Sequence, residues 1–292
     1  MELKLTKDEN NVKEVTVEIK GEEYTPYETK ALEYLKPSVE LKGFRKGTAP
    51  LNLVKQGVSI EKLVNETFNF IYPEVVKKSM QDFKLLPIIS PKVNLKKIGQ
   101  GEFEATFIYV ERPKIKIGDY KKIVKEAKAK TEIEVKEHLE KKEEHEGHDH
   151  THLEENIFIK NLYDGLTNNV EVFLSDYLVD EEKNLMLERF FSYLKQLNIT
   201  LDNYLESVKI KYEDLMKNYK EQAEKNLKRE FAISEIGTLE KIEVTDKEVM
   251  DAINSSPDEK IKSEVSKPEQ KLYIKNQIFR DKVIKFLKEL SK

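Results

Sequence analysis

The apolar residues of this chain change their period part-way along it, and that change restricts the folds open to it more than any other feature. Val15, Val17 and Ile19 alternate with polar residues, as do Phe103, Ala105, Phe107 and Tyr109. A period of two turns one face of each stretch toward a core and the other toward water, so both predict half-buried strands. Between them the spacing becomes helical. Ala31, Leu32 and Leu35 share one face, and Leu63, Val64, Phe68, Ile71, Val75 and Val76 mark a second, longer helix. Residues 1–112 therefore predict a compact α+β domain.

After Pro113 the period is almost entirely helical. Leu185, Phe190, Phe191, Leu194 and Leu197 recur at threes and fours, and Leu215, Tyr219, Ala223, Leu227 and Phe231 at fours. Thr245 with Glu248 gives a capping-box signature ahead of Val249 and Ile253. Pro268 stands where a last helix, through Ile274, Ile278, Val283, Leu287 and Leu290, begins. Each stripe suits a helix-helix core; a groove for other chains is the second reading. Composition adds a shape. Charged residues make up 36% and apolar ones 38%, against about 25% and ~45–50% in ordinary soluble domains. One large sphere with a thick core is excluded, whereas 13 Phe and 13 Tyr are too many for a disordered chain. The expectation is an elongated, all-α second part.

Charge places the boundaries. Residues 113–130 carry seven basic and two acidic side chains, whereas 131–182 carry four and sixteen. This predicts three segments: an α+β domain at 1–112, a linker and arm with an acidic, His-rich tract at 113–152, and a helical domain at 153–292. A net charge of −4 gives no bulk basic excess of the kind a nucleic-acid binder shows. The absence of cysteine removes disulfides, thiolate metal sites and a cysteine nucleophile together. The opening MELKLTKDENNVKEV lacks the apolar stretch of a signal peptide, and no later run reaches the ~20 apolar residues of a membrane span. The expected setting is cytoplasmic and away from membranes.

Residues 41–50 read LKGFRKGTAP. Gly43 and Gly47 let the backbone turn sharply and thrust Phe44, Arg45 and Lys46 outward at a loop tip. An aromatic beside two cations suits an apolar pocket rimmed by phosphate or carboxylate, because arginine forks two hydrogen bonds, lysine supplies a point charge and phenylalanine gains by leaving water. Spacing alone favours the other reading, a helix connection whose Phe44 folds under the domain while the charges solvate it.

GFRKGTAP, at this point in a strand, helix, loop, helix, strand order, resembles the ribosome-docking signature of the bacterial trigger factor family. The similarity continues in PKIKIGDYKKIVKEAKAK, like the strand and linker leaving the docking domain, and in TEIEVKEHLEKKEEH, like the following arm. EVFLSDYLVDEEKNLMLERFF and the helices from NITLDNYLESVKIKYEDL onward are similar to the family's helical chaperone domain. The resemblance implies an α+β ribosome-docking domain with Gly43, Phe44, Arg45, Lys46 and Gly47 at the contact, followed by an all-α chaperone domain with arms. It implies an ATP-independent chaperone whose partners are ribosomal protein and RNA at the exit tunnel and nascent or unfolded polypeptides, with weak homodimers off the ribosome. Apolar patches near Phe190, Phe191, Tyr193 and Tyr204 are the expected client contacts. Two departures stand out. Thr48 occupies a position where family members often have lysine, and the arm runs directly into HEGHDHTHLEEN where the family usually carries an FK506-binding-type prolyl isomerase domain. The chain is therefore expected to lack isomerase activity.

The five histidines all fall between His138 and His152. His148, His150 and His152 have a spacing that could take up Zn²⁺, Ni²⁺ or Cu²⁺ in a flexible segment, but a solvated linker is the favoured reading and no bound metal is expected. Nothing brings a nucleophile, a histidine and a carboxylate together, and no GxxxxGKS/T loop is present, so neither an enzyme nor a cofactor is expected. The competing function is a holdase independent of the ribosome, free in the cytosol or serving export.

Overall fold

The computed structural model describes residues 1–140, 150–255 and 267–291, and the chain divides into two compact units, Met1–Pro113 and Lys114–Lys292. In the first unit the order is β1 (Glu2–Glu9), β2 (Val12–Lys20), α1 (Thr25–Leu35), α2 (Leu51–Gly57), α3 (Ile60–Asp82), β3 (Lys92–Gly99) and β4 (Glu102–Val110). The two alternating stretches become neighbours. β2 and β4 pair antiparallel with Val15 opposite Phe107, Val17 opposite Ala105 and Ile19 opposite Phe103. Matching rows of apolar side chains thus fall on one face, where they bury with Ile71 and Val75 of α3 and with Tyr24 and Tyr27. This register holds because a slip by one residue would turn the whole apolar set to water.

The sheet has the order β1-β2-β4-β3. Its two edge strands were not visible in the periodicity, since an edge strand packs few of its side chains and need not alternate strictly. Both edges carry an irregularity, between Leu5 and Lys7 in β1 and between Leu95 and Lys97 in β3. With their lysines, these bulges blunt the edges against further strand pairing.

The second unit comprises β5 (Ile115–Ile117), α4 (Tyr120–Glu140), α5 (His150–Asn169), β6 (Val170–Val172), α6 (Asp176–Gln196), α7 (Leu201–Val208), α8 (Tyr212–Leu239), α9 (Asp246–Asn254) and α10 (Pro268–Leu290). It is mostly helical, with one small antiparallel ribbon in which Ile115 faces Val172 and Ile117 faces Val170. The segment expected as linker and arm supplies α4, which buries Ile123, Val124 and Ala127 with Phe158, Leu162 and Leu166 of α5, Ala232, Ile233 and Ile236 of α8, and Val283 and Leu287 of α10. Farther along the α4–α5 pair the contact turns polar: buried Asn161 donates from Nδ2 to Thr131 Oγ1 at 3.2 Å, and Thr131 donates to the Ala127 carbonyl.

Helix starts follow local chemistry. Thr245 and Glu248 form the full capping box at α9, and Glu248, also hydrogen-bonded by Lys282, is held down to about 2. Pro268 opens α10, its missing N–H being one of those a helix start leaves unpaired. Between α8 and α10 the helices meet at Gly237, where a Cβ would fall on the Phe279 ring and lie 2.8 Å from Val283 Cγ2. Overpacking of this kind costs about 1–3 kcal/mol. Gly237→Ala is therefore expected to lower the unfolding free energy of the helical unit by that amount in a urea titration, and an unchanged value would show that the ring moves aside freely.

Candidate functional site

The loop between α1 and α2 is built from two successive turns. The Phe44 N–H donates to the Leu41 carbonyl at 3.1 Å, and the Thr48 N–H donates to the Arg45 carbonyl at 3.0 Å. The third residue of each turn is glycine, Gly43 with φ +92° and Gly47 with φ +78°, a region that side chains with a Cβ rarely enter. Thr48 adds a second bond, donating from its hydroxyl to the same Arg45 carbonyl at 2.7 Å. Thr48 thus braces the turn with two bonds.

Both ends of the loop are fastened. Ala49 is buried with Leu32 and Val54, and Val39, Leu41, Leu51, Val58 and Leu63 pack around them. Gly57 is small because Leu41 needs its space: a Cβ there would come within 2.7 Å of Leu41 Cδ2. Phe44, between the two turns, is 43% exposed. The alternative in which this ring folds under its own domain is not what the backbone does. Arg45 and Lys46 are exposed as well. Lys46 pairs with Glu40 at 2.6 Å, and the hydrogen bond from Lys46 holds the Glu40 carboxyl below the usual carboxylate range. Arg45 has no acidic partner among the described residues. The loop thus presents a half-uncovered aromatic ring, a guanidinium and a loosely held ammonium on a braced backbone, an arrangement that can enter an apolar pocket with an anionic rim.

The aromatic residues of the helical unit separate into two kinds. Phe190 is half-buried and sits at the centre of a ring cluster, 4.9 Å from Tyr204 and 5.6 Å from both Phe191 and Tyr219. It joins α6, α7 and α8. Phe191 and Tyr193, by contrast, are 39% and 58% exposed. Leu197, read from the sequence as part of a helical stripe, is exposed as well, and sequence reasoning missed the exposed Ile199, Val208 and Tyr212. Ile199, Val208 and Tyr212 lie at helix ends and connections and so fall outside the periodic stripes; their apolar character between residues 190 and 212 was the one available signal. Of the histidine candidates, His148 lies outside the described residues, as do the side chains of His150 and His152.

Two family models match, one described as bacterial trigger factor protein over residues 1–143 and one as its C-terminus over residues 123–289. The chain belongs to the trigger factor family. The two matches overlap at residues 123–143, so no stretch of this chain is left between them. The trigger factor of Streptococcus mutans is 32% identical over 131 residues, 44% of this chain and 31% of that protein. That of Listeria innocua is 30% identical over 138 residues, 47% of this chain and 32% of that protein. The chain therefore spans about a third of the length of the curated relatives it matches. A solved structure of a trigger factor chaperone, reported for promiscuous substrate recognition in folding and assembly, superposes with a TM-score of 0.62 over 100% of both chains at 17% identity. At that identity the likeness concerns the fold: an α+β unit followed by a mostly helical one.

The division of the aromatic residues is measurable. Phe190→Ala removes a half-buried ring with three aromatic neighbours and is expected to destabilise the helical unit by about 2 kcal/mol. Phe191→Ala and Tyr193→Ala are expected to cost less than about 1 kcal/mol each in the same urea titration. Equal losses at all three would mean that the exposed pair is structural too.

Proposed function

We propose that this chain is an ATP-independent chaperone that docks on the ribosome through the loop at Gly43, Phe44, Arg45, Lys46 and Gly47 and shelters nascent or unfolded polypeptide on its helical unit. One observation carries this reading: a ring 43% exposed at the loop tip, beside a guanidinium without an acidic partner among the described residues. Leaving an aromatic ring in water is unfavourable, and a fastened loop that does so gains when the ring enters a partner's pocket. The cations favour a partner with ribosomal RNA phosphates or acidic protein side chains.

In this reading residues 1–112 form the docking domain, residues 113–152 the linker and arm, and residues 153–292 the chaperone body. The client surface is the exposed group at Phe191, Tyr193, Leu197, Ile199, Val208 and Tyr212, with Phe190 and Tyr204 as its support. Each apolar contact is small, so unrelated chains bind and leave, and a client's own folding competes for the same side chains. No cofactor or nucleotide takes part. Among the described residues no helix is long and apolar enough to cross a membrane, in keeping with a cytoplasmic partner of ribosomes. Weak self-association through the same helix faces when off the ribosome completes the proposal.

Replacing Phe44, Arg45 and Lys46 together by alanine is expected to abolish cosedimentation with purified bacterial ribosomes while leaving the circular dichroism spectrum unchanged. Undiminished cosedimentation would overturn docking through this loop and favour a ribosome-independent holdase. In refolding limited by proline isomerisation, the protein is expected to suppress aggregation without speeding the slow phase. An accelerated slow phase would reveal an isomerase site and sink the non-enzymatic reading.

A further inference from the structure

Between Glu33 and Glu61 the sequence holds five cations, Lys36, Lys42, Arg45, Lys46 and Lys55, and a single anion, Glu40. That anion sits on Lys46 at 2.6 Å. The two residues are six apart in sequence and meet because the two glycine turns fold the chain back, with Leu41 fastened in the cluster beneath and Lys46 second in the turn that closes at Thr48. Lys55, by comparison, is held outside the loop by Glu28 at 2.6 Å.

We propose that Glu40 is an internal counter-ion that regulates docking by occupying Lys46 until an anionic partner replaces it. This deepens the docking reading above and rests on it. Phe44 and Arg45 are ready to engage, whereas Lys46 must exchange one carboxylate for another anion. The exchange leaves Glu40 charged beside the arriving phosphate or carboxylate, so the partner meets a repulsion as well as an attraction. Both members of the pair are open to water, with side chains 63% and 74% exposed. An exposed pair of this kind is weak, which suits a contact that must open on each docking event. Glu40 thereby moderates affinity and keeps the loop reversible.

Glu40→Gln keeps the shape of the side chain and removes its charge. With purified bacterial ribosomes over a series of salt concentrations, this variant is expected to bind about two- to fivefold more tightly than the unaltered protein at low salt. The dependence of log K on log salt should steepen by less than about one unit, since one more cation is free to meet a phosphate. In a Lys46→Ala background the same replacement is expected to lose most of its effect, because the charge it frees is no longer there. A gain of the same size with and without Lys46 would overturn the pairwise mechanism and leave only diffuse repulsion. No gain from Glu40→Gln, while Phe44→Ala still loses binding, would overturn the role of Glu40 and leave docking intact. Equal binding by all of these variants, Phe44→Ala included, would remove the docking reading and this inference with it.

Discussion

Leu41 lies so close to Gly57 that a Cβ there would come within 2.7 Å of it, and what the loop presents depends on the small cluster in which Leu41 packs. A loop tip of glycines and charges has no packing of its own. Its geometry is inherited from the small apolar cluster of Leu32, Ala49 and Val54 below it. With both ends held and two turns closed by backbone bonds, the entropy of ordering the tip is spent in folding and need not be spent again on binding. A residue as costly to expose as Phe44 can then remain uncovered without the chain collapsing over it.

The helical unit applies a different solution to the same problem of displaying apolar surface. Its core gathers side chains from α4, α5, α8 and α10, whereas α6, α7 and α8 meet around Phe190 through ring contacts to Tyr204 and Tyr219, with Asn226 of α8 also donating to Glu182 of α6. The residues flanking that centre stay partly in water. Scattered apolar groups of this kind give many weak contacts with no fixed geometry, in line with the proposed binding of unrelated unfolded chains.

Much of this was legible in the sequence. The alternation at Val15, Val17 and Ile19 and at Phe103, Ala105 and Phe107 anticipated a shared buried face, and the pairing of those same residues across β2 and β4 is what the fold shows. The capping box at Thr245 and the proline start of the last helix were likewise read from local residue types. The edge strands β1 and β3 were not, and of the short ribbon only β5 was expected, as the strand that the resemblance implied in PKIKI. Edge strands bury too little to impose a period, and a ribbon of three residues a side is too short to show one. Spacing by itself favoured a Phe44 folded beneath the domain, whereas the ring is exposed.

What the sequence by itself determined was therefore local: where the period changes, where helices begin, and where glycine permits the backbone to reverse. These follow from covalent geometry and from hydrogen bonds a few residues long. Tertiary structure alone decided which apolar side chains stay in water, that Glu40 meets Lys46, and that Phe190 supports the aromatic group while Tyr193 is displayed by it. Burial and ion pairing are set by atoms brought together from distant parts of the chain, and a one-dimensional pattern does not carry the distances on which they depend.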